Sequence, residues 1–160
     1  MILVWNVRGT GKQLFARNIS DIRRLYSFEI LAICEPRING LKAKRVIKRL
    51  GFYNNYIVEV ERFSGGIWVL WNDSKIKLYV VASSRHSITA LVDDQNFFWI
   101  LTVVYANPCA NIRRLLWSYL DSIKDCFHMA LLITSDFNEI TSCDEKRGGR
   151  PTYSNSGFAN

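Results

Sequence analysis

The stretch Gly66–Tyr105, "GIWVLWNDSKIKLYVVASSRHSITALVDDQNFFWILTVVY", decides what kind of fold this chain can adopt. Its apolar runs "GIWVLW", "IKLYVVA", "SITALV" and "FFWILTVVY" are rich in β-branched and aromatic residues, which favours extended backbone over helix. Between them lie Asn72-Asp73-Ser74 and Asp93-Asp94, residues that form tight turns through their own side chains. One more run, "YIVEVE", precedes the turn signal Ser64-Gly65-Gly66. The pattern predicts a succession of strands joined by short turns, an antiparallel meander.

On either side of this block the period changes. Upstream, "MILVW" reads as a buried strand and "RGTGK" as a loop. From Gln13 to Ser27 the apolar residues Leu14, Phe15, Ile19, Ile22, Leu25 and Tyr26 recur at helical spacing, with Arg17, Arg23 and Arg24 between them. "EILAIC" is a second buried strand that ends at Glu35 and Pro36. Ala43, Val46, Ile47 and Leu50 then mark a second helix, basic on its other side, and Gly51 is its expected stop. Downstream of Asn107-Pro108, a third helix is predicted from about Asn111 to Cys126, and His128 is read as lying on it. "ALLIT" is the last clear strand. No internal repeat, low-complexity segment or linker interrupts the chain, and 160 residues suit one α+β domain spanning positions 1–160.

Composition narrows the function. Hydrophobic residues make up 49% and charged residues 22%, enough apolar mass for a core, so disorder by composition is excluded. Lys and Arg number 21 against 14 Asp and Glu, and the sequence pI is about 9.4, a surplus that favours polyanionic partners. The cysteines Cys34, Cys109, Cys126 and Cys143 form no C-x-x-C pair, which argues against zinc and fits free thiols in a reducing compartment. "MILVW" is too short for a signal h-region, and no apolar stretch has the length of a membrane span, so no membrane partner is expected.

The polar residues of interest stand at strand ends. Asn6 ends the first strand, Glu35 the second and Tyr105 the long aromatic one. Asp136 and Asn138 follow the last, in "ITSDFNEI". Each alone has an ordinary structural reading: a solvated Glu before Pro, a packing Tyr, an Asp-x-Asn turn. If the strands share an edge, these residues meet on one rim, where layered α/β folds place ligands. Such a set is chemically coherent: a carboxylate can hold Mg²⁺, an Asp can deprotonate water, and amides and a phenol can bond phosphate oxygens.

In order, "WNVRG", "LAICEPR", "SGGIWVLW", "VVYANP" and "TSDFNEI...EKRGGR" resemble the endonuclease/exonuclease/phosphatase superfamily. The likeness is closer to the apurinic-type endonuclease domain of plant LINE-type non-LTR retrotransposons, and it covers essentially the whole chain. It implies a four-layered α/β sandwich of the DNase I-like type. Its implied activity is Mg²⁺- or Mn²⁺-dependent hydrolysis of phosphodiester bonds in DNA, with a nucleus as the working compartment. By the resemblance Glu35 is the metal ligand, Asp136 and Asn138 are the acid and amide of a "GDFN" motif in which Ser135 replaces Gly, and Asn6 and Tyr105 contact phosphate. Arg37 matches a basic position after the metal-binding Glu, and His86 a His of no assigned role.

Two departures stand out. Arg8 occupies a place that repair enzymes of the superfamily give to an acid. The late Ser-Asp-His motif, whose His acts on the scissile phosphate, has no match, since the chain has only His86 and His128. The expectation is a C-terminally truncated domain of weak or no activity, open to self-association through an uncovered sheet. Two alternatives share these residues. One is a non-catalytic nucleic-acid-binding module whose basic helices hold phosphates, unless their charges form only a solvated face. The other is a phosphatase of the same superfamily.

Overall fold

A computed structural model describes residues 1–10, 13–60, 65–107 and 109–138. In chain order the elements are β1 (Ile2–Asn6), α1 (Gln13–Leu25), β2 (Ile30–Cys34), α2 (Gly40–Leu50), β3 (Asn54–Val58) and β4 (Ile67–Trp71). They continue with β5 (Lys77–Ser84), β6 (Ser87–Asp93), β7 (Phe98–Tyr105), α3 (Ala110–Cys126) and β8 (Leu131–Asp136).

The strands form two sheets, ordered β1-β2-β4-β3 and β5-β6-β7-β8. The predicted meander is therefore divided. β3 and β4 are an antiparallel pair in the first sheet, and β4 continues onto β2 rather than β5. Only β5, β6 and β7 form a true antiparallel meander, in the second sheet. The chain crosses between sheets after Trp71, whose indole N–H donates to Asp73 Oδ1 at 2.8 Å and fixes the exit.

Alternation along β2 shows why the layers stack. Ile30, Ala32 and Cys34 face the second sheet and pack with Leu78, Ile88, Ala90, Val92, Leu101 and Val103. Leu31 and Ile33 point the other way, into Phe15 and Ile19 of α1 and Ala43, Ile47 and Leu50 of α2. A strand buried on both faces reads as an unbroken apolar run, which is what "ILAIC" is. On the far side, Leu116 and Leu120 of α3 cover Val104 and Ala106. The result is helix, sheet, sheet, helix: the four-layered α+β sandwich expected from the sequence.

Gly51 closes α2 with φ 73°, its N–H bonded to Lys48 O. Arg23 of α1 donates to the carbonyls of Leu50 (3.3 Å) and Gly51 (3.4 Å), a cation at the negative end of the α2 dipole, and stacks 4.6 Å over the Phe52 ring. His128 lies beyond the third helix rather than on it: α3 stops at Cys126, and Phe127 is extended. No helix among the described residues is long and apolar enough to cross a membrane.

Candidate active site

β1 runs parallel to β2, with Asn6 beside Cys34, and β7 runs parallel to β8, with Tyr105 beside Asp136. Their C-terminal ends meet at one rim of the sandwich. Past the strands the backbone bonding goes on. Val7 N–H donates to Cys34 O (3.1 Å), Gly9 N–H to Glu35 O (2.8 Å), and Thr10 N–H and Oγ1 to Pro36 O (2.9 and 3.1 Å). From the other side Glu35 N–H donates to Gly66 O at 3.2 Å. Glu35 is thus held at the edge by both neighbours of β2.

The carboxylate of Glu35 is only 7% exposed as a residue, and each oxygen has a donor. The Tyr105 hydroxyl donates to Oε1 at 2.5 Å. The Arg37 guanidinium reaches Oε2 through Nη2 at 2.5 Å and Nε at 3.1 Å. Burial of the Tyr105 phenol, followed by its bond to Glu35, raises its pKa well above the usual 10, so it stays a donor at any ordinary pH.

A second polar bridge crosses the sheets alongside. Asn6 Nδ2 donates to Asp136 Oδ2. Asp136 Oδ1 accepts the backbone N–H of Asn138 at 3.1 Å, and Asn138 Nδ2 donates to Ala106 O at 2.7 Å. Ala106 N–H returns to Asp136 O at 3.0 Å. The amide of Asn138 therefore holds the loop that carries Asp136. Between the two bridges lies Cys34, whose thiol burial pushes up to about 12, reinforced by the charges of Asp136 and Glu35.

The backbone is strained at this rim. Among the described residues, five that are not glycine have positive φ, and four of them are Arg8 (45°), Glu35 (55°), Arg37 (56°) and Asn138 (47°). Each costs about 1–2 kcal/mol in a left-handed torsion, least for Asn. The fifth, Gln95, sits in the β6–β7 turn. These torsions gather at one place against a background of regular sheet, as such torsions do at the active sites, ligand clamps and switch regions of proteins in general.

All five residues singled out in the sequence, Asn6, Glu35, Tyr105, Asp136 and Asn138, stand together here. His86 adjoins them: its backbone O accepts Tyr105 N–H (2.9 Å), and its Nδ1 lies 3.2 Å from Tyr105 O. Arg8 contributes its backbone N–H to Asn6 Oδ1 at 3.4 Å. Sequence reasoning took Gly65 and Gly66 for a turn and for part of the motif "SGGIWVLW", but not for parts of the site. A Cβ on Gly66 would lie 2.7 Å from Val60 Cγ2 and 3.1 Å from Pro36 Cγ, and one on Gly65 would lie 3.8 Å from the Tyr105 ring. The Gly-Gly pair lets this loop lie flat against the Glu35 edge. The "EITSC...EKRGGR" segment and Cys143 fall outside the described residues.

The donors at the rim are oxygen atoms around one buried carboxylate, with no grouping of three or more His, Cys, Asp or Glu side chains among the described residues. That set suits a hard cation held by one carboxylate plus water and substrate oxygens, and does not suit zinc. The Arg37 guanidinium occupies Oε2, so a cation could use that oxygen only after Arg37 turns away.

No family model and no curated protein matches the chain. Solved structures do. D. rerio TDP2 complexed with a single-strand DNA product aligns with TM-score 0.65 and 18% identity, over 87% of this chain and 60% of that one. The human Nocturnin catalytic domain with bound sulfate gives 0.61 and 14%, over 86% and 64%. The endonuclease domain of TRAS1, a telomere-specific non-LTR retrotransposon, gives 0.60 and 13%, over 86% and 58%. The chain spans less than two thirds of each of these structures. At such identities the likeness speaks to architecture: this chain carries the DNase I-like fold of the endonuclease/exonuclease/phosphatase type.

Proposed function

We propose that residues 1–160 form one phosphodiesterase-type domain acting on DNA with Mg²⁺ or Mn²⁺, of retrotransposon endonuclease origin. The observation that carries this reading is the pair of inter-sheet bridges, Glu35–Tyr105 and Asn6–Asp136, meeting on one strained rim. The order of the sequence motifs supports the plant LINE affinity.

In this scheme Glu35 holds the cation, which when bound supplies Lewis acidity at a phosphoryl oxygen. Asp136 takes the proton of the attacking water, with Asn6 fixing which of its oxygens faces that water. Asn138 keeps the Asp136 loop in register through Ala106. The Tyr105 phenol, kept protonated by its burial, turns from Glu35 to a phosphate oxygen as substrate arrives. Arg37, half-exposed, leaves Oε2 and pairs with phosphate. Neither His86 nor His128 has a role in this scheme. Part of the same reading is self-association through an uncovered sheet. Among the described residues β8 is an edge strand, and Leu132 on it is exposed.

The test is nicking of supercoiled plasmid with Mg²⁺, Mn²⁺ or EDTA. Slow metal-dependent nicking lost in both Glu35→Gln and Asp136→Asn is expected. Nicking that persists in either variant, or in EDTA, overturns the assignment. A second reading, a binding module without catalysis, is favoured by Arg37 already neutralising Glu35. Retardation of plasmid with no cutting in any metal would select it. Sedimentation that finds only monomer would remove the self-association.

A further inference from the structure

α2 carries Lys42, Lys44, Arg45, Lys48 and Arg49 within 11 residues and no acid. All five are exposed, and among the described residues none enters an ion pair: the pairs there join Met1 and Lys75 to Glu29, and Arg37 to Glu35. Lys44 with Lys48, and Arg45 with Arg49, stand one turn apart as like charges, an arrangement that weakens a helix in isolation. An 11-residue helix is about 16 Å long, so the cations fall about one per 3 Å, close to the ~3.4 Å per charge of a single nucleic-acid strand.

At the C-terminal end of this ridge Tyr53 is 87% exposed. Its backbone N–H is fixed by Asn72 Oδ1 at 2.9 Å, and its neighbours Lys44, Lys48, Phe52 and Asn55 border with it a shallow cavity of about 240 Å³. An aromatic ring standing in water between lysines has the makings of a base-stacking platform. It is far from the rim. Asn54, next to Tyr53, pairs with Trp71, whereas the rim end of β4 is Ile67, beside Cys34.

We infer that the outer face of α2 together with Tyr53 is a binding surface for single-stranded nucleic acid. The phosphates lie along Lys44, Lys48 and the arginines, and a base stacks on Tyr53. A duplex keeps its base faces covered and cannot use the ring. This surface does not depend on the phosphodiesterase reading, since it includes none of the rim residues.

The experiment is fluorescence anisotropy of labelled oligo-dT with the whole chain in EDTA, across a KCl series. EDTA removes hydrolysis, so failure here is separate from failure of the rim assignment. Lys44→Gln with Lys48→Gln is expected to reduce the slope of log affinity against log salt by about 1.4, at ~0.7 per phosphate contact. Tyr53→Ala is expected to weaken binding by at least about fivefold. The charge-matched control, Lys77→Gln with Lys124→Gln on other layers, should change neither. All these side chains are exposed, and unchanged circular dichroism and melting check that the variants fold. The inference is overturned if the double variant behaves as the control does, if Tyr53→Ala binds oligo-dT normally, if Tyr53→Ala weakens duplex as much as oligo-dT, or if phosphatidylserine vesicles bind as well as oligo-dT.

Discussion

Tyr105 ends a strand of one sheet and Glu35 follows a strand of the other, yet the Tyr105 hydroxyl donates a 2.5 Å hydrogen bond to Glu35 Oε1 inside the protein. Tyr105→Phe keeps the ring beneath Gly65 and removes only this donor, leaving a buried carboxylate oxygen unsatisfied. The expected loss is about 1–3 kcal/mol of stability, read from urea unfolding. An unchanged midpoint would mean that the bridge does not hold the sheets together.

Gly66→Ala should cost more than Gly51→Ala. Both glycines have positive φ, 84° and 73°, so each substitution pays about 1–2 kcal/mol for the torsion. Only at Gly66 would the new methyl also collide, 2.7 Å from Val60 Cγ2, whereas at Gly51 its nearest contact is Arg23 Nη1 at 3.6 Å. Equal losses in parallel thermal melts would contradict the packing described around Pro36.

Alkaline pH should destabilise the fold through two groups. Burial raises the Cys34 thiol from about 9 to about 12, and the Tyr105 phenol is raised above 10. A raised acid holds its proton longer in the folded than in the unfolded state. Its contribution is therefore complete below the unfolded pKa and is lost as pH climbs through the folded one. The melting temperature should fall from about pH 9 upward, and less steeply in Cys34→Ala. In a Cys143→Ser background, the exposed Cys109 and Cys126 should react with a thiol reagent at once, and Cys34 only on unfolding. Prompt reaction of all three would place Cys34 outside the core.

Arg37→Gln removes the cation that neutralises Glu35 Oε2. Mn²⁺ binding, followed by electron paramagnetic resonance, should tighten in this variant and vanish in Glu35→Gln. If Arg37→Gln binds Mn²⁺ no better than the parent chain, the guanidinium does not compete for that oxygen.

What the sequence disclosed, and what it hid, follows from how each feature is encoded. "ILAIC" followed by Glu35, and "LLITS" followed by Asp136, are apolar runs that stop at a charge, so strand and rim position could be read together. The sharing of strands between sheets could not. A turn such as Asn72-Asp73-Ser74 has the same composition whether the chain folds back beside its predecessor or crosses to another layer. The left-handed torsions of Glu35 and Arg37 were equally hidden, because neither residue type signals them. They accompany a contact between side chains two positions apart: the Arg37 guanidinium lies on the Glu35 carboxylate. His128 was misplaced because helical spacing does not show that Phe127 breaks the helix.

The backbone of Arg8, Glu35, Arg37 and Asn138 sets selection for durability against selection for chemistry. Glycine would adopt each of those torsions with no steric penalty. A randomised library screened only for survival of heating would drift toward glycine at Arg8, whose side chain makes none of the hydrogen bonds described at this rim, while at Glu35, Arg37 and Asn138 the torsion is weighed against the hydrogen bonds their side chains make. One screened for turnover would resist the same drift. The sites where the two screens disagree would outline the working part of the molecule with no substrate in hand.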